Sequence, residues 1–171
     1  MTATVFKERV LPILPAPIIL ALDQITKALV LARLPLNRPV EVLGDFLRLW
    51  HRRNTALSFS LGWKLPLEVQ RVLFAALPLL VVVAVVIYYV KASDVTRLQR
   101  WLLGAIMGGG LGNFVDRVFR GGSVVDFIDF KFYGILGMER WPTFNVADST
   151  VVVAGLIFVV TVMVQESRSR K

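Results

Sequence analysis

Four stretches of the chain lack the regular polar residues that a water-facing surface needs. Val72–Val90 is a run of 19 uncharged residues, close to the ~20 that carry a helix across a bilayer. Ser149–Val164 adds 16 more and is extended at its start by Val146 and Ala147. Trp101–Val115 supplies 15 and continues towards Phe119. The first stretch, Leu14–Leu34, is interrupted by Asp23 and Lys27. It is too late and too polar for a signal-peptide core, and no small-residue cleavage pattern follows it. The pattern predicts spans over roughly 14–34, 72–90, 98–119 and 146–164. Pro78 marks a candidate kink in the second. With no Gly/Ser linker between them, the whole chain, 1–171, reads as one membrane domain.

Between the first two spans the period changes. Val40 and Val42, then Phe46, Leu47 and Leu49, flank Gly44-Asp45, which predicts short strands around a turn. The segment over roughly 38–70 is therefore expected to form a small sheet or cradle. Its last part, "WKLPLEVQR", mixes Trp63, Leu65, Leu67 and Val69 with charges and is expected to lie in the membrane interface. The fold class expected is an all-α integral membrane protein, with four transmembrane helices and a small extracytoplasmic β-sheet or lid.

Composition narrows the chemistry. The chain is 56% hydrophobic, with mean hydropathy +0.65, well above soluble domains. With no cysteine, disulfides and thiol nucleophiles are excluded. A single histidine, His51, excludes a multi-histidine metal site; it reads as an interfacial side chain. The net charge of +8 is spread in short segments between apolar runs, so nucleic acid is not an expected partner. Segments 1–10, 91–100 and 165–171 hold eight Lys/Arg in 27 residues, whereas 35–70 and 120–145 hold eight in 62. That asymmetry predicts cytoplasmic termini and outward-facing long loops.

The polar residues within or beside the spans are candidates for chemistry, because an unpaired charge in hydrocarbon is costly. Asp23 and Lys27, four apart, share a helix face and can pair. Gly104, Gly108 and Gly112 form a small-residue ridge that fits packing within one bundle or between two. Asn113, Asp116 and Arg117 follow on one face. Asp126 and Asp129 would fall on opposite faces of a strand, one inward and one to water. Asn145 and Asp148 read as a capping box opening the last span. The same topology brings Asp148 to the membrane depth of Asp126. Two neighbouring carboxylates cannot both ionise easily, so such a pair can act as base and acid on a water and a peptide carbonyl.

"DQITK" (Asp23–Lys27), "NTALSFS" (Asn54–Ser60), "GGLGNFVDRVFRGGSVVDFID" and "FNVADSTVVVAG" resemble, in order, four blocks of the lipoprotein signal peptidase (signal peptidase II) family. Ala56 and Ser58 stand where that family has Gly and Ala, and one extra glycine lies between Asp116 and Asp126. The resemblance implies an aspartic endopeptidase with Asp126 and Asp148 as its catalytic pair. Asp23, Lys27, Asn54, Asn113, Asp116, Arg117 and Asn145 would then shape the substrate site. It further implies prolipoprotein substrates, cleaved just before a diacylglyceryl-modified cysteine, at the periplasmic surface of a bacterial inner membrane. No metal or other cofactor is expected; membrane lipids are expected partners, and the chain is expected to be a monomer. The competing readings are a proton-coupled carrier or channel and a non-catalytic scaffold whose acids merely pair with Lys27 and Arg117.

Overall fold

The computed structural model describes residues 6–55 and 66–170. Its long helices are α1 (Pro15–Arg33), α2 (Leu67–Lys91), α3 (Arg97–Phe119) and α4 (Val146–Ser169). A π-helical turn, Phe6–Val10, and a 3-10 turn, Leu11–Ile13, lead into α1. Strands β1 (Pro39–Leu43), β2 (Leu47–Asn54) and β3 (Val124–Phe130) form one antiparallel sheet in that order.

Among the described residues, three helical stretches are long and apolar enough to cross a membrane: Phe6–Arg33, Val72–Lys91 and Val146–Ser169. The expected fourth span does not reach that mark, for a reason visible in its packing. α3 lies among the others, touching α1, α2 and α4, and buries Gln99, Arg100 and Asp116 as well as apolar residues. A helix walled by its neighbours need not present an apolar surface to lipid.

The α3 glycines set how closely those walls approach. A Cβ on Gly108 would stand 2.6 Å from the Ala16 carbonyl oxygen, and one on Gly112 2.5 Å from Asp23 Oδ2. Gly104 faces the Pro12 carbonyl in the same way. The 104/108/112 ridge therefore seats the start of the chain and α1. Gly109 faces Ala147 of α4, and Gly110 faces Val82 of α2. The ridge is used inside one chain.

At the ends of the helices, side chains replace missing partners. Thr96 and Gln99 form a reciprocal capping box at the start of α3. Arg100 donates to the Tyr89 and Ala92 carbonyls at the end of α2, at 2.8 and 3.1 Å. α2 begins at Leu67, five residues before its uncharged run, so 67–71 open a helix; Trp63 and Leu65 lie outside the described residues. Pro78 sits inside an uninterrupted helix.

The strands expected around Gly44-Asp45 are present, and the third comes from beyond α3. Gly121 (φ +64°) and Gly122 (φ +83°) supply the turn that reverses the chain into β3. Arg52 pairs with Asp126 and Asn54 with Val124, after an irregularity between Leu49 and Arg52. Beneath the sheet, Val125 and Phe127 pack with Val30 of α1, flanked by Leu34, Leu49 and Val146. Each such buried side chain contributes about 1.5–3 kcal/mol, which fixes β3 against the bundle.

Two expectations are corrected here. Asp129 does not face water: it is 1% exposed, because Arg48 Nε (2.8 Å) and Arg140 Nε (2.9 Å) close over its carboxylate. His51 is not an interfacial side chain: it is 5% exposed, with Nδ1 3.1 Å from the Leu34 carbonyl. The sheet folds back over the C-terminus of α1 and covers it.

Gly108→Val is expected to lower the unfolding midpoint in detergent strongly, by more than the ~1–3 kcal/mol of ordinary overpacking, because the obstacle is backbone. Gly155→Ala in α4, where an added Cβ meets nothing within 4 Å, is expected to leave the midpoint unchanged or raise it slightly.

Candidate active site

The site is built on a buried ion cluster. Lys27 Nζ lies 2.8 Å from Asp23 Oδ2 and 3.1 Å from Asp116 Oδ2, and all three side chains have no exposed surface. It also donates to Asn113 Oδ1 at 3.0 Å, so all three ammonium protons have acceptors. Arg120 adds a second cation against Asp116, and Gln24 donates to Asp23, Asp116 and the Gly112 carbonyl. Two carboxylates and two cations leave the cluster formally neutral.

Each carboxylate of the cluster also holds backbone. Asp23 Oδ1 accepts from Ala147 N at 3.0 Å, tying α1 to the first turn of α4. Asp116 Oδ2 accepts from Val125 N at 2.9 Å, tying α3 to β3. Ala147 directly precedes Asp148, and Val125 directly precedes Asp126. The cluster thus positions the two candidate acids without touching either.

Asp126 and Asp148 are joined through two asparagines. Asn145 Nδ2 donates to Asp126 Oδ1 at 2.8 Å and to Asn113 Oδ1 at 3.1 Å. Asn113 Nδ2 donates to Asp148 Oδ1 at 2.7 Å. Asn54 Nδ2 reaches Asp126 Oδ2 at 3.0 Å from β2. The capping box is also formed: Asp148 N donates to Asn145 Oδ1 at 2.9 Å, and Asn145 N to Asp148 Oδ2 at 3.1 Å. The capping and dyad readings of Asp148 are compatible, because the cap itself delivers its carboxylate to the network. Gly121 and Gly122 form the turn that leads into β3, and Asp126 meets Asn54 and Asn145.

Asp126 is 2% exposed. Burial, and then the negative charge of Asp148, push its carboxyl up to about 6, against the pull of its bonds from Asn54 and Asn145. Asp148 is only half-buried, so the pair is reached from its side. Further along the same helices, Leu102 and Ala105 of α3 face Ser149, Thr150, Val153 and Ile157 of α4 across an apolar groove of about 360 Å³.

Five of the nine residues singled out in the sequence, Asp126, Asp148, Asn54, Asn113 and Asn145, share one hydrogen-bonded network. Asp23, Lys27 and Asp116 lie beneath it, facing only protein groups. Arg117 donates to the Gly122 carbonyl at 3.0 Å, with its guanidinium carbon 5.7 Å from the centre of the Phe74 ring. Ala56 and Ser58 lie outside the described residues. Sequence reasoning missed Gln24, Arg120 and Phe144. Arg120 was detectable, standing four residues from Asp116 on one helix face. Phe144 was not: its backbone pairs with Ile128 on the free edge of β3, which is what sets Asn145 beside Asp126.

Comparison with known proteins gives a consistent answer. The family model for Signal peptidase (SPase) II matches residues 16–164. The lipoprotein signal peptidase of Treponema denticola is 44% identical over 165 residues, covering 96% of this chain and 95% of that protein. That of Treponema pallidum is 40% identical over 161 residues, covering 94% and 87%. Among solved structures, a bacterial membrane enzyme determined by the in meso method superposes with a TM-score of 0.75 at 26% identity, covering 94% of this chain and 91% of that one.

Lys27→Met is expected to cost about 3–5 kcal/mol of stability, as for breaking a buried ion pair, since Asp23 and Asp116 would face each other without their shared cation. Arg120→Gln, which removes a partly exposed cation, is expected to cost less than half of that. Unfolding in detergent, followed by circular dichroism, measures both.

Proposed function

The chain belongs to the signal peptidase II family, and on that premise we propose that Asp126 and Asp148 form its catalytic pair. The protein is a membrane peptidase that cleaves signal peptides from prolipoproteins. The observation that carries the assignment of the pair is the Asp126–Asn145–Asn113–Asp148 bridge, which holds one buried and one reachable carboxyl in a single network.

The two carboxyls share one proton. The ionised member takes a proton from a water held between them as the water oxygen attacks the scissile carbonyl carbon. The protonated member donates a hydrogen bond to the developing oxyanion. When the tetrahedral intermediate collapses, the proton taken from the water passes to the departing amine and the C–N bond breaks. Asn54, Asn113 and Asn145 hold the two carboxyl groups in place and, with Arg117, satisfy substrate backbone groups where water is scarce. Asp23, Lys27 and Asp116 are positioning residues acting through Ala147 and Val125.

The bond cut is the one before a diacylglyceryl-modified cysteine, whose amine is the leaving group. The apolar groove between α3 and α4 suits the hydrocarbon parts of such a substrate, entering laterally from the bilayer. α3 is the fourth span, shielded by the other three. The sheet and dyad lie at the end of the bundle opposite the segments richest in Lys/Arg, which supports cytoplasmic termini and a periplasmic site in a bacterial inner membrane. The first outer loop, over roughly 38–70, serves as a cradle or lid for the substrate; residues 56–65 of it lie outside the described residues. Internal use of the glycine ridge supports a monomer. A proton carrier finds no support, since the charged network gathers at one end of the bundle.

Asp126→Asn and Asp148→Asn are each expected to lower cleavage of a lipidated precursor by at least ~10³-fold without loss of folded protein; full activity in either would refute the pair. Because one proton must stay on the dyad, kcat/KM is expected to fall as pH rises through about 6, where Asp126 ionises. Stability carries the same sign. Asp126 binds its proton more tightly folded (about 6) than unfolded (3.8), so about 3 kcal/mol is lost between pH 4 and 6 and above.

A further inference from the structure

A second cavity, of about 320 Å³, opens on the sheet side of Asp126, lined by Arg52, Arg53, Asn54, Thr55, Pro142 and Thr143. Its charge is unbalanced. Arg52 and Arg53 are exposed, and neither makes an ion pair with any acid among the described residues. At the far end of the same sheet the cations are matched: Arg48 and Arg140 close on Asp129, and Lys131 on Asp45 and Glu139. Arg52 is also preset, its guanidinium carbon 4.7 Å from the centre of the Trp50 ring. Stacking of that kind fixes the plane and leaves the edge donors free for a carboxylate.

The cavity adjoins the reacting atoms. Arg52 stands opposite Asp126 in the β2–β3 register, and Asn54 both lines the cavity and holds the Asp126 carboxyl. A peptide crossing the dyad runs one way along the helices into the bilayer and the other way over Asn54 into the arginine-lined cavity. The signal peptide is the membrane-buried half of a precursor, so it follows the helices and the cavity is left for the mature half. At ~3.3 Å per extended residue, the second to fourth mature residues reach the arginines.

We infer that this cavity is a subsite for the start of the mature polypeptide, selecting acidic side chains there. The inference rests on the peptidase reading above and names a preference that the reading does not contain. Three lipidated precursors differing only at mature positions two to four, carrying Glu, Gln or Lys, test it. The expected order of kcat/KM is Glu above Gln above Lys, about fivefold per step, the scale of exposed charge pairs, and narrowed by high salt. R52E/R53E is expected to invert the order, and R52Q/R53Q to flatten it. Ratios are taken within one preparation, so loss of folded enzyme does not distort them. Equal rates in the wild type, as would follow if the arginines served lipid phosphates, overturn the inference, and so does an order that R52E/R53E leaves unchanged. Failure of the dyad itself appears elsewhere, as activity surviving in Asp126→Asn or Asp148→Asn.

Discussion

A lysine ammonium with no exposed surface, held between two equally buried carboxylates, is the constraint on which the site depends. Lys27 cannot be charged there without Asp23 and Asp116, and neither acid can ionise there without a cation. Each carboxylate then spends its remaining acceptor capacity on the backbone N–H one residue before a candidate catalytic acid. Three elements far apart in sequence, α1, α3 and the β3–α4 region, are thereby brought into one register. Arg120 completes the neutrality that a low-dielectric surrounding demands.

That cluster is affordable in a membrane chain because α3 is enclosed. Its glycines admit the backbone of α1 and α4 and the Val82 side chain of α2, so its buried polar residues Gln99, Arg100 and Asp116 are covered by protein instead of lipid. The same enclosure explains why α3 is less apolar than the three helices packed around it. Close packing and buried charge are linked here: Gly112 has no side chain because Asp23 Oδ2 occupies the space.

One residue can serve a helix cap and the candidate site together. Asp148 caps α4 with one oxygen and meets Asn113 with the other, while Asn145 accepts from the Asp148 N–H and donates to Asp126. The cap gives the acid its orientation at no added conformational cost. The contrast between a buried Asp126 and a half-buried Asp148 arises from their elements, one on a strand covered by the bundle and the other in the first turn of a helix.

The linear pattern was enough for the apolar helices, the hairpin around Gly44-Asp45, the Asp23–Lys27 pair and the Asn145–Asp148 cap. All of these are local: a period, a turn or a spacing of three or four residues decides them. The nine candidate residues could be singled out too, through their ordered motifs and their places at the ends of spans. Sequence spacing could not say which of them touch. The third strand, the Phe144 edge pairing that carries Asn145 to Asp126, the covering of Asp129 by Arg48 and Arg140, and the burial of His51 all join residues distant along the chain. So does the division between network residues and the cluster beneath them. Those contacts follow from how the helices close around the α3 glycines and how the sheet folds over α1, and packing of that kind has no period to read.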